Sequence, residues 1–204
     1  IELLSMVSLL AVSLVLVSAL MHAFRDFTTK KSIDKQVFVW WYEVFSIIFF
    51  LPVFIYFILK DGVPIPIAIY LGIGAGAVHF LYWFFLSKTY ETGDLSHVYP
   101  INRSAPALVL ILSILFLGER VTPAGIAGII LVVAGVYIVN MKKLSLPELL
   151  SPLKSIGKEK ATQFAMLTMV AVAVYSIIDK FSEGIVSPFI YVYLINIFAF
   201  MFFT

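Results

Sequence analysis

Between Asp94 and Leu112 the chain reads DLSHVYPINRSAPALVLIL. The segment begins polar, ends as an oily run, and carries Arg103 between Pro100 and Pro106. The largely apolar run after the arginine, Ser104–Leu117, has 14 residues. At ~1.5 Å per residue it covers about 21 Å, short of the roughly 30 Å hydrocarbon core of a bilayer. A helix that crosses must reach back to about Leu95, which sets Arg103 roughly 12 Å inside its end. A cation at that depth is costly unless it faces a cavity or a partner. Pro100 and Pro106 each remove a helical hydrogen bond, so the helix is expected to bend or open there. Broken backbone at membrane depth is tolerated where it lines a cavity. Arg103 is therefore expected to line one, with snorkelling to the interface as the alternative. Tyr99, four residues earlier, lies on the same helical face.

Working outward, composition agrees with a membrane setting. The 204 residues are 62% hydrophobic and only 13% charged, with a mean hydropathy of +1.05. Soluble domains are about a quarter charged, so this chain lacks the polar groups to coat a water-facing surface. The apolar runs are continuous rather than alternating, which favours helices over a barrel. The expected class is an all-α polytopic membrane helix bundle with the bilayer as a partner. A net charge of +2 gives no footing for a nucleic-acid partner, and the absence of cysteine removes thiol chemistry. There is no HExxH, and His22, His79 and His97 are too scattered to suggest a metal site. GIGAGA (Gly72–Ala77) lies within an apolar run with no strand before it, so it is no dinucleotide loop. Neither an enzyme nor a cofactor is expected.

Seven segments have the length and apolarity of spans: Leu3–Phe24, Val37–Leu59, Ile65–Leu86, Leu95–Leu117, Pro123–Val139, Ala161–Ile178, and one opening near Pro188. Thr122-Pro123 supplies an N-cap and an N1 proline to the fifth. The run Ala68, Gly72, Gly76 in the third and Ala124, Gly128, Gly135 in the fifth are expected to pack against neighbouring backbone. Residues 141–160 form the longest connection, whose leucines at helical spacing permit a short interfacial helix or a plain linker. The chain thus divides into 1–140, 141–160 and 161–204. Shifted by 153 residues, His22 and Asp26 fall on Tyr175 and Asp179, Trp40 on Tyr193, and Glu43 on Asn196, with no gap. Span six is therefore expected to restart what span one began, and repeats of odd span number are inverted in the membrane. Ten lysines and arginines lie after spans one, three and five, against three after the even spans, which turns the N-terminus outward.

Several polar side chains fall inside or at the ends of spans. Ser18, His22, Arg25, Asp26 and Thr29 share one face of the first. Arg25, Asp26 and Lys30 read as a helix end emerging into headgroups, with the Arg/Asp pair solvated there. His22 lies deeper and could change charge near neutral pH. Glu43 sits inside span two, and an intramembrane acid is a functional candidate by default. Its competing role is a structural partner for Arg103 or Arg25. Trp40 and Trp41 beside it read as an interfacial belt. His79 and Trp83 continue the small-residue face of span three toward a cavity. The candidate cavity or substrate residues are thus Arg103, Tyr99, His22, Glu43, His79, Trp83 and Tyr175. Glu43, His22, Asp26 and Asp179 are the candidates for proton or charge coupling.

The segment GDLSHVYPINRSAPALVLILSILFLGERVTPAGIAGIILVVAGVYIV, Gly93–Val139, resembles the EamA-type branch of the drug/metabolite transporter superfamily. The GDLS entry, the Tyr-Pro, the Gly-Glu-Arg turn and the glycine-rich closing span carry the likeness. His22-Ala23 with Lys30 is similar to that branch's first helix, although an Asn often stands there in place of Asp26. The resemblance implies a ten-helix fold, two inverted five-helix repeats around a central cavity, of which about seven helices fall within this chain. It implies secondary transport of small metabolites such as amino acids, often as export, in the plasma (inner) membrane. It also implies cytoplasmic termini, opposite to the charge count. The function expected is alternating-access movement of a small polar metabolite, coupled to a gradient such as that of protons. Efflux of lipophilic cations through Glu43 is the alternative, and a non-transporting scaffold a third reading.

Overall fold

The computed structural model describes residues 9–62, 65–140 and 159–204. Its elements are α1 (Leu9–Lys31), α2 (Lys35–Asp61), α3 (Ile65–Thr92), α4 (Leu95–Asn102), α5 (Ala105–Leu112), α6 (Pro123–Asn140), α7 (Lys160–Ser182) and α8 (Pro188–Phe203). There is no strand among the described residues. Helices α1, α2, α3, α7 and the combined stretch His97–Leu117 are long and apolar enough to cross a membrane. Pro123–Val139 and Pro188–Phe203 are shorter apolar helices. The chain is an all-α membrane helix bundle, as the apolar runs predict. The interfacial helix expected near residues 141–160 falls almost wholly outside the described residues.

Local chemistry sets the boundaries. Asp34 accepts from the amides of Gln36 and Val37 at 2.9 and 3.0 Å and so caps the start of α2. Thr122 accepts from the Gly125 amide at 3.1 Å ahead of Pro123, the cap expected for the fifth span. The fourth span is in three pieces. Arg103 and Ser104 separate α4 from α5, so the interruption falls between the two prolines, with Pro100 inside α4 and Pro106 in the first turn of α5. The Ser104 hydroxyl donates back to the Pro100 carbonyl at 2.7 Å, giving an acceptor at the break a partner. Beyond Leu112 the helix widens into a π turn, Ser113–Leu117, closed by Gly118 at φ 65°.

The packing centre is α3, which runs antiparallel to α2 and α7 and parallel to α8. Gly76 makes the α3/α8 seam. A Cβ there would lie 2.5 Å from the Phe198 Cβ and 3.0 Å from the Ala199 backbone nitrogen. The stripe in α6 behaves differently from its expectation: no atom lies within 4 Å of where a Cβ would stand at Gly128 or Gly135. Helix α6 meets α4 and α5 instead, so this glycine face has no partner among the described residues.

Two apolar clusters close the two ends of the bundle. Val39, Trp83, Leu86, Tyr90, Val98, Ile101, Ala161 and Ala165 pack where α3 ends and α7 begins. Ala68, Ala75, Val186, Ile190, Tyr191 and Ile195 pack at the opposite end. Side chains between these clusters form neither, and there the polar residues of the spans gather.

Candidate functional site

A cavity of about 320 Å³ lies between the two clusters, walled by α1, α2, α3, the α4–α5 break, α7 and α8. Each wall contributes through a local feature of its own. The break carries Asn102 and Arg103 into the lining, because backbone that leaves the helical path directs successive side chains inward. Helix α1 contributes His22, Arg25 and Asp26 at helical spacing. Helix α2 contributes Tyr42 and Glu43, and α3 contributes His79, Tyr82, Trp83, Leu86 and Tyr90.

The charges are arranged unequally. Asp26, 7% exposed, accepts from two guanidiniums. Arg25 Nη2 donates to its Oδ1 at 3.1 Å, and Arg103 Nη2 donates to Oδ2. Arg25 also donates to the Tyr82 hydroxyl at 3.3 Å and lies 4.6 Å above the Trp83 ring. Arg103 stands 5.1 Å from the ring of Tyr99. One carboxylate thus offsets two cations. Glu43 is 3% exposed, and its Oε2 has no hydrogen-bond partner. Asn102 is 8% exposed, with neither Oδ1 nor Nδ2 partnered. Buried polar atoms without partners carry a desolvation penalty, and here both side chains border open space.

Of the residues singled out from sequence, His22, Asp26, Glu43, His79, Trp83, Arg103, Pro106 and Tyr175 line this cavity. Tyr99 does not; it backs Arg103. Pro100 is buried within α4. Asp179 lines a second cavity and accepts from the Tyr191 hydroxyl at 2.8 Å.

Three expectations are corrected. The competing role of Glu43, structural partner of Arg103 or Arg25, falls to another carboxylate: the one that holds both is Asp26. Arg25 and Asp26 were expected among solvated headgroups, yet they line the cavity. The reason is that α1 leans on the end of α3. Lys30 Nζ donates to the carbonyls of Tyr90 and Gly93 at 2.8 and 3.0 Å, capping the last turn of α3 and drawing the end of α1 over the bundle. Lys30 is therefore an internal contact too. Trp40 packs 5.4 Å from Phe200, and Trp41 is half exposed.

Asn102, Tyr82, Tyr42, Tyr90 and Asn196 join the lining without having been singled out for it. Two had a signal. Asn102 adjoins Arg103 at the break, and Asn196 is the residue onto which Glu43 falls in the 153-residue shift. Both pairs of that shift that face inward, His22 with Tyr175 and Glu43 with Asn196, border the same cavity.

No group of three or more His, Cys, Asp or Glu placed to hold a metal ion occurs among the described residues. The arrangement can bind a small solute that brings both an anion, for the arginines, and donors, for Glu43 and Asn102.

Comparison with known proteins is consistent with this geometry. The EamA-like transporter family matches residues 9–141. No curated protein and no solved structure gives a significant match.

Proposed function

The chain belongs to the EamA-like transporter family, and we propose that it is a secondary active exporter of a small polar metabolite, an amino acid or a related solute. It is an integral membrane protein and a transporter of the drug/metabolite type, and that membership displaces the scaffold reading. The finer reading has it work by alternating access in the plasma membrane, with residues 1–140 as one five-helix repeat and 161–204 as the start of a second. The paired inward positions at the 153-residue offset support that division.

One observation carries the substrate class. Within a single cavity, Arg103 carries positive charge that Asp26 shares with Arg25, while Glu43 and Asn102 have polar atoms without partners. A solute carboxylate competes with Asp26 for Arg103, and a solute ammonium gives the Glu43 Oε2 the donor it lacks. Bound in this way, an amino acid converts three poorly matched groups into matched ones. Binding energy of that kind, available in one access state and absent in the other, shifts the population between states. His22, Glu43, Asp26 and Asp179 are the groups through which a proton gradient could be coupled.

The test is uptake into proteoliposomes of a mixture of the twenty ¹⁴C-labelled amino acids, exchanged against the same mixture inside. Arg103→Ala and Glu43→Gln each lower the exchange at least tenfold on this reading; unchanged exchange in both variants removes them from the site. Efflux of lipophilic cations is a second reading, favoured by the rings of Tyr42, Tyr82 and Trp83 beside Glu43. It predicts ethidium transport that Glu43→Gln abolishes and Arg103→Ala does not.

A further inference from the structure

The central cavity has a neighbour. A second cavity of about 510 Å³ lies among α3, α7 and α8, on the side of the bundle where α7 ends and α8 begins. Asp179, Lys180, Glu183 and Tyr191 border it. Two side chains line both cavities, His79 and Asn196, so they stand as the partition between them.

The His79 ring is held in a defined state. Its Nδ1 lies 2.9 Å from the Ala75 carbonyl oxygen. A carbonyl only accepts, so Nδ1 carries a hydrogen and Nε2 is the nitrogen that gains or loses a proton. The ring stacks on Tyr175 with centroids 4.3 Å apart, which fixes its plane. One helical turn beyond Tyr175, Asp179 borders the second cavity, which His79 also lines. The Tyr191 hydroxyl orients the Asp179 carboxylate from α8.

The other charges around His79 are engaged elsewhere or lie across open space. At the end of α7, Lys180 is 2.7 Å from Glu183 and 4.0 Å from Glu119, so these two acids share a cation of their own. From α1, Arg25 and Asp26 are tied together and to Arg103, and the His22 Nδ1 bonds the Ser18 carbonyl. From α2, Glu43 and Tyr42 face the central cavity, as does Tyr82 of α3 itself. Asp179 is thus the acid that His79 shares a cavity with and that no cation pairs with among the contacts described.

We propose that His79 and Asp179 form a proton-binding site distinct from the place of the substrate, filled from the second cavity and felt in the central one through the shared imidazole. A hydronium ion gives its proton to the Nε2 lone pair and leaves as water. The imidazolium that forms is balanced by the Asp179 carboxylate, and no other bond is made or broken. The charged ring then borders the substrate cavity, so substrate and proton alter each other's binding. The link to substrate rests on the transport function proposed above; the site itself does not.

The chain has three histidines, so ring-¹⁵N-labelled protein in nanodiscs gives a spectrum in which His79 is the signal lost in His79→Gln. The expected result is a His79 Nε2 that takes up a proton as the pH falls and binds it about tenfold more weakly in Asp179→Asn. Asp179→Glu, which keeps the charge, restores most of the affinity, and the retained dispersion of His22 and His97 reports an intact fold. A His79 signal that does not titrate, or one indifferent to Asp179→Asn, overturns the site, as does a response to sodium at fixed pH in place of one to protons. In proteoliposomes, Asp179→Asn should lower pH-driven uptake of the ¹⁴C amino-acid mixture at least tenfold while leaving exchange at equal pH within twofold. An equal loss of both overturns the coupling role. Absence of exchange in the unaltered protein defeats the proposed function and leaves the titration result standing.

Discussion

Asp26 and Glu43 are two buried acids on the wall of one cavity, and they are kept there in opposite ways. Asp26 is enclosed by two guanidiniums, each bonded to a different oxygen. Glu43 is more deeply buried and has an oxygen with no partner. The first acid neutralises charge already present. The second presents one oxygen, Oε2, that no described group of the protein bonds. The contrast separates a group that holds the site together from one that waits for something to enter it, a distinction invisible in a count of charged residues.

The largest effect expected from this contrast is on stability. Asp26→Ala leaves two cations without their shared carboxylate, and should cost about 2–3 kcal/mol, less than the penalty for removing one partner of a fully buried ion pair because Arg103 is 36% exposed. Thermal unfolding in nanodiscs measures it. Arg103→Met added to Asp26→Ala should recover more than half of the loss; a loss that the second change deepens would mean that Arg103 is held by something other than Asp26. Glu43→Gln should behave in reverse, changing stability by less than about 1 kcal/mol because no ion pair is broken, while amino-acid exchange falls at least tenfold. A large stability loss in Glu43→Gln would erase the distinction between the two acids.

Two smaller changes test whether paired and unpaired groups differ in general. Lys30→Met removes a paired cation that caps α3, and should cost about 1–2 kcal/mol, the range for losing a hydrogen bond to a charged group. Chemical denaturation of the reconstituted protein reads this directly. Asn102→Leu removes a side chain with no partner, and should leave stability within about 0.5 kcal/mol while raising the KM for exchange. A lower KM would show that Asn102 does not meet the solute.

Much of the fold could be read along the chain because a membrane span is a local property. Length, continuous apolarity and the Thr122-Pro123 cap each depend on a few neighbouring residues. The position of the break in the fourth span follows in the same way from a length argument and two prolines. The pairing of charges does not. Asp26 and Arg103 are far apart in sequence, and nothing near Asp26 signals that α1 leans over α3 through Lys30. Without that lean, a basic and acidic helix end is indistinguishable from one dissolved in headgroups. Asn102 was hidden for another reason: its importance is the absence of a partner, and an absence is seen only once the surroundings are known. The glycines show both cases. Gly72 and Gly76 of α3 meet α8 closely, while Gly128 and Gly135 of α6 face no neighbour among the described residues.

The seam at Gly76 also bears on how the molecule is made. Helix α3 is closed by α8, and about 120 residues separate Gly76 from Phe198. At a synthesis rate of about 5–20 residues per second, the third helix is in the bilayer for on the order of ten seconds before its counterpart exists. During that interval its glycine face is open to lipid or to any other helix nearby, and biogenesis must hold the place vacant. A bulky residue at position 76 would therefore act twice, by obstructing the finished seam and by giving the waiting helix a surface that other partners can occupy first.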